Sequence, residues 1–187
     1  LYHNNGDLTF TDVTAQLGID TTQAATFMGV WFDYNNDNLV DLLVLNDRVL
    51  FQNFLYKNLG NGQFTDVSQV SGSNIFMDSM TGSVGDYNND GWLDYYVTNT
   101  PGNGNKLFRN YSNGSFIDVA ADLNLRLFQW CWGATWVDYN NDTFQDLFVV
   151  TQPFNGNGSM GNHFLMKNTG SSFDWQVSAG FAGSTGA

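Results

Sequence analysis

The pentapeptide DYNND stands at residues 33–37, 86–90 and 138–142, at steps of 53 and 52 residues. Each copy is followed four residues later by a further aspartate, Asp41, Asp94 or Asp146. A second element keeps the same period. LYHNNGDLTFTDV at 1–13 returns as LYKNLGNGQFTDV at 55–67 and LFRNYSNGSFIDV at 107–119, with a looser copy, LMKNTGSSFDWQV, at 165–177. A repeat of this length belongs to propeller blades or solenoid units, so the chain must be read as copies of one supersecondary unit.

Within one period the pattern is strand-like. FMGVWFD and CWGATWVD are short apolar runs ending at the aspartate loop. After the loop come LVDLLVLN, WLDYYVTN and FQDLFVVT, rich in β-branched and aromatic residues and apolar on both faces. A hairpin follows, FLYKN then GQFTDV, joined by an Asn/Gly turn. Helical periodicity is lacking, apart from short turns suggested at TAQLGI and AADLNL. Four short strands per unit, covered on both faces, predict an all-β fold of β-propeller blades, each a four-stranded antiparallel sheet. A parallel β-helix, with its shorter coils, fits less well.

The counting gives one propeller segment over 1–187. Residues 1–26 read as the outer hairpin of an incomplete blade, 27–79 and 80–130 as blades, and 131–187 as a blade plus the start of the next. About three and a half blades cannot close a ring, which takes about 4–8. Two resolutions are open. The chain is a piece of a longer propeller, consistent with its opening on Leu1, or its ends are completed by other copies of itself. Head-to-tail completion would build rings or filaments.

Acidity is concentrated in the repeated loops. Nine of the eighteen Asp and Glu residues lie in the three motifs, within a net charge of −12. That balance argues against nucleic acid and anionic membrane surfaces as partners. No apolar run approaches the ~18 residues of a membrane span. Cys131 is the only cysteine, so an intrachain disulfide is excluded, and its apolar flanks predict a buried small hydrophobe.

Numbering each loop from its first aspartate, positions 1, 3, 5 and 9 are Asp33, Asn35, Asp37 and Asp41. The second copy places Asp86, Asn88, Asp90 and Asp94 there, and the third Asp138, Asn140, Asp142 and Asp146. Oxygen-bearing side chains on alternate residues of a tight turn converge, and the backbone carbonyl of position 7 commonly joins them. Those carbonyls belong to Leu39, Trp92 and Phe144. Hard oxygen donors without nitrogen or sulfur select Ca2+, giving three expected sites. An EF-hand is excluded, because position 12 is Val44, Val97 or Val149 rather than Glu, and a strand follows instead of a helix. The competing reading is a plain turn, for which Asp and Asn are common formers. Three in-phase copies with the same fourth aspartate favour the ion.

The loops and hairpins together resemble the FG-GAP/VCBS repeat family, whose blades build the propeller of integrin α-subunits and many bacterial secreted proteins. DYNNDGWLDYYV matches the family loop most fully, and 1–14, 55–68 and 107–120 match its hairpin. The resemblance covers nearly the whole chain and implies an exported, calcium-binding propeller with a structural, adhesive or assembly role. One departure stands out: position 6 is Gly91 in the second loop but Asn38 and Thr143 in the others. β-Branched Thr tolerates a left-handed backbone poorly, so the third site is expected to be weakest.

Catalysis is not expected in this chain. No G-x-S-x-G, P-loop or H-E-x-x-H occurs, and His3 and His163 read as surface or edge-strand residues. The six tryptophans could stack on sugars, but Trp31 and Trp136 sit at equivalent places and fit blade-to-blade packing better. The polar loops 99–105 and 152–160 are the candidates for a glycan or protein ligand. An accessory part of a larger secreted enzyme is a further alternative. Four N-x-Ser/Thr sequons, at Asn110, Asn113, Asn141 and Asn157, are as readily produced by Asn-rich turns as by glycosylation.

Overall fold

The computed structural model describes residues 1–20, 22, 24–152 and 163–176. The loop at 152–160 therefore lies almost wholly outside the described residues, as do the sequon at Asn157 and the last residues of the chain. The fold is all-β. A lone hairpin, β1 (Tyr2–Asn4) and β2 (Phe10–Asp12), precedes three four-stranded antiparallel sheets. The first is β3 (Ala25–Phe32), β4 (Asp41–Asp47), β5 (Phe54–Asn58) and β6 (Phe64–Asp66). The second is β7 (Gly82–Gly85), β8 (Asp94–Val97), β9 (Lys106–Asn110) and β10 (Phe116–Asp118). The third is β11 (Trp130–Val137), β12 (Asp146–Gln152), β13 (Phe164–Asn168) and β14 (Phe173–Trp175). Every sheet is a simple meander in chain order, the arrangement of a propeller blade. The sheets form an open array, not a closed ring.

Among the described residues, helix is confined to a 3-10 turn at Ala15–Leu17 and one short α-helix at Ser68–Ser71. The first lies within the expected TAQLGI turn. Both end on a left-handed glycine, Gly18 and Gly72, which brings the backbone close to the carbonyl oxygens of Phe64 and Phe116. A Cβ would stand 2.7 and 2.8 Å from those oxygens, so only glycine fits here.

The core lies between blades, which is why the second strands are apolar on both faces. Between the first and second sheets, Leu43, Leu45, Leu55, Tyr95, Val97 and Phe108 are almost fully buried. Between the second and third, Tyr96, Leu107, Cys131, Leu147, Val149 and Met166 are likewise buried. Cys131 is thus the small core hydrophobe its flanks predict. Trp136 of β11 lies over Gly85 of β7, donates its indole N–H to the Ser83 carbonyl at 3.1 Å, and stacks on Tyr87. A Cβ on Gly85 would come within 2.8 Å of the indole, so the glycine makes room for the tryptophan.

Trp31, the equivalent of Trp136, behaves differently. It is 47% exposed and meets Phe64 edge to face, with no inner strand of a preceding sheet against it among the described residues. The loop 99–105 also departs from expectation. Asn99 and Asn105 are buried, with the Asn99 amide donating to Asn105 Oδ1 and the Asn99 side chain to the Gly104 carbonyl. Its ends belong to the core, leaving only its tip free for contact. His3 and His163 are exposed, as expected.

Candidate functional site

Each aspartate loop joins the first strand of a sheet to the second, and the three are built alike. Position 1 is the hub. Asp33 Oδ1 accepts the Asp37 amide and Oδ2 the Asn38 amide, at 3.2 and 2.7 Å. Asp86 and Asp138 make the same pair of bonds, to Asp90 and Gly91 and to Asp142 and Thr143. At position 3, the side-chain oxygens of Asn35, Asn88 and Asn140 accept the amide of position 5. At position 5, one carboxylate oxygen accepts the amide of Leu39, Trp92 or Phe144, and the other accepts the position-3 side-chain N–H. Short polar side chains bonding their own backbone hold the turn, a role for which Asp and Asn are suited.

This winding requires left-handed backbone at positions 4 and 6. Asn36, Asn89 and Asn141 have φ of 55°, 56° and 59°, and Asn38, Gly91 and Thr143 have 66°, 85° and 75°. Asn and Gly adopt this region at little cost; Thr does not. Replacing exposed Thr143 by glycine is therefore expected to stabilise the protein by about 1 kcal/mol, read from urea melts of the two proteins. A loss of stability would show that Thr143 is not strained.

Position 9 is buried. Asp41, Asp94 and Asp146 have no exposed surface. Each accepts the amide of position 2 (Tyr34, Tyr87, Tyr139) and that of an asparagine ending the third strand (Asn58, Asn110, Asn168). Burial, followed by the charges of Asp90 and Asp86, pushes the Asp94 carboxyl up to about 7 against the pull of the two amides. Asp41 and Asp146 are raised by the same causes, burial first and then the other two aspartates of their own loops. The three carboxylates of each loop thus feel one another's charge. Among the described residues, however, no three His, Cys, Asp or Glu side chains are gathered into a metal-holding group, since the carboxylates are turned onto amides.

Two sets of residues escape a reading of the loops alone. A cation from the third strand faces position 5 in every copy: Lys57 to Asp37 at 3.2 Å, Arg109 to Asp90 at 3.6 Å and Lys167 to Asp142 at 3.6 Å. The strand-ending asparagines also bridge blades. Asn110 Nδ2 donates to the Tyr34 carbonyl and Asn168 Nδ2 to the Tyr87 carbonyl, each at 2.7 Å. Neighbouring loops are joined again by Asn36 Nδ2 to the Gly91 carbonyl and Asn89 Nδ2 to the Thr143 carbonyl. The in-phase pairs Lys-Asn, Arg-Asn and Lys-Asn in LYKN, LFRN and LMKN are the signal for both. Because Asn110 is buried and bonded, its sequon is not presented to solvent.

Comparison with protein families agrees with this geometry. The model of the FG-GAP-like repeat matches residues 33–97 and 86–149, each match running from one aspartate loop into the second strand of the next blade. Among curated proteins, none is similar enough to stand as a relative. The two matches together take in more than half of the chain, which belongs to the FG-GAP-like repeat family.

Proposed function

We propose that the chain is a calcium-stapled, extracellular propeller module whose role is structural, adhesive or assembly-forming rather than catalytic. The observation that carries this reading is the repetition of one loop with three carboxylates and an all-oxygen donor set, built three times with the same backbone winding. Positions 1, 3, 5 and 9 would hold the ion: Asp33, Asn35, Asp37 and Asp41, with their counterparts Asp86, Asn88, Asp90, Asp94 and Asp138, Asn140, Asp142, Asp146. The carbonyls of Leu39, Trp92 and Phe144 would complete the set.

The chemistry of the donor set fits the ion, although the carboxylates are turned onto backbone amides. The donors are oxygen throughout, and a bound cation would offset both the burial of the position-9 carboxylates and their repulsion from the other two aspartates of the loop. The ion supplies charge neutralisation and cross-linking of a turn, with no reaction implied. Loops of this type fill at extracellular rather than cytosolic calcium, which supports an exported setting. No helix among the described residues is long and apolar enough to cross a membrane. The partners in this reading are other copies of the chain or the remainder of a longer propeller. Calorimetric titration of EDTA-stripped protein with CaCl2 is expected to show three sites, the third weakest. Absence of heat or saturation would remove the metal from the account.

A carbohydrate-binding role is favoured by one specific feature. Trp130 and Trp132 of β11 lie nearly parallel, 22° apart with centroids at 6.4 Å, Trp130 half-buried and Trp132 43% exposed. A pair of parallel rings open to solvent on one side would suit a sugar face. Quenching of tryptophan fluorescence by an oligosaccharide, lost in Trp132→Ala, would support this role. Fluorescence unmoved across a glycan panel would leave the structural role standing.

A further inference from the structure

We propose that Lys57, Arg109 and Lys167 are built-in counter-ions of the three loops, each holding the position-5 carboxylate when the loop is metal-free and competing with a divalent cation for it. The inference rests on the metal reading above for its second half only. The chain has six Lys and Arg residues in all, and three of them are spent on one repeated contact, at 3.2–3.6 Å from Asp37, Asp90 and Asp142. The other three pair elsewhere, Arg48 with Asp47, and Lys106 and Arg126 with Asp118. So scarce a resource placed three times at one structural address is not chance surface pairing.

The placement follows from the blade. The third strand runs alongside the second, so its side chain two residues beyond Leu55, Leu107 or Leu165 reaches back across the turn to the loop. The next residue along is the asparagine whose amide is accepted by position 9. One dipeptide therefore serves two carboxylates of the loop: the asparagine backbone holds the buried one and the cation holds the outer one. Three carboxylates and one cation leave each loop with a formal charge of −2, which one divalent ion neutralises.

Position 5 is where the two demands collide. One oxygen of Asp37 accepts the Leu39 amide, while the other is shared between Asn35 Nδ2 and Lys57. Asp90 and Asp142 are engaged in the same way. A metal ion that takes the shared oxygen must displace the cation or hold that oxygen together with it. Either route weakens binding relative to a loop without the cation.

The test compares wild type with Lys57→Met, Arg109→Met, Lys167→Met and the triple variant. Arg48→Met is the control, because Arg48 pairs away from the loops. In EDTA the triple variant is expected to melt about 3–6 °C below wild type, as three partly exposed ion pairs would give. Titrated with CaCl2 at low salt, each single variant is expected to bind about three- to tenfold more tightly at its own loop, an advantage that shrinks as NaCl rises. Lys57→Arg should behave as wild type. An EDTA melting temperature unmoved by the triple substitution overturns the counter-ion. Calcium affinity unchanged or weakened in the variants overturns the competition. If wild type takes up no calcium at all, the metal reading and the competition fail together, and the melting in EDTA still decides the counter-ion.

Discussion

Stripping the protein with EDTA is expected to lower its melting temperature by roughly 10–30 °C relative to protein in millimolar calcium. Each site filled at about a hundredfold its Kd contributes about 2.7 kcal/mol to the folded state, so two or three sites give about 5–8 kcal/mol. For a domain of this size each kcal/mol moves Tm by about 2–4 °C. The sign has a structural origin. Without a cation, three carboxylates share one nine-residue bend against a single Lys or Arg, and one of the three is wholly buried. A bound Ca2+ would relieve that repulsion only in the folded chain, where the bend exists. Asp90→Ala should remove more of the calcium-dependent stability than Asp142→Ala, because the third loop carries the strained Thr143. A melting curve indifferent to chelator would mean that the amide bonds alone suffice.

The second large effect is a reversal of pH dependence. In EDTA the protein is expected to be more stable at pH 5 than at pH 7. Asp94 is the cause: burial, then repulsion from Asp90 and Asp86, raises its folded carboxyl from 3.8 to about 7. Between those values the folded chain keeps a proton that the unfolded chain has shed, so stability falls as pH rises through that window. The gap corresponds to about 4 kcal/mol at most. Asp41 and Asp146 shift in the same direction. Asp37 and Asp142 are lowered instead, and their contribution is lost only when pH falls below the usual carboxylate range. With calcium bound the proton becomes a competitor, and acidification should destabilise. Urea melts at the two pH values, with and without EDTA, check both signs. Asp94→Asn should flatten the metal-free slope. Metal-free protein that weakens on going from pH 7 to pH 5 would refute the buried-charge explanation.

Much of this architecture is legible in one dimension. The three DYNND copies and the hairpin repeats mark where blades begin and turn, because Asn and Gly take most of the left-handed positions of these bends and Asp holds their amides. Val97, Tyr96 and Tyr95 in succession announce a strand covered on both faces. What the sequence concealed depends on the third dimension. Nothing in the local pattern says that Asn110 reaches the Tyr34 carbonyl of the preceding blade, 76 residues away. Nor does it say that position 9 is buried while position 5 is solvated. Equivalence in sequence also overstated equivalence in packing: Trp31 and Trp136 hold the same place, yet among the described residues only Trp136 has an inner strand, with Gly85, beneath it.

The side-chain amides that step from Asn36 to Gly91 and from Asn89 to Thr143 have a consequence for how such a chain responds to its surroundings. Each bend is clamped at the carbonyl where its neighbour's winding is tightest, so ordering one lowers the entropy the next has left to lose. The array should therefore stiffen as a row rather than bend by bend, with the effect growing with the number of blades joined.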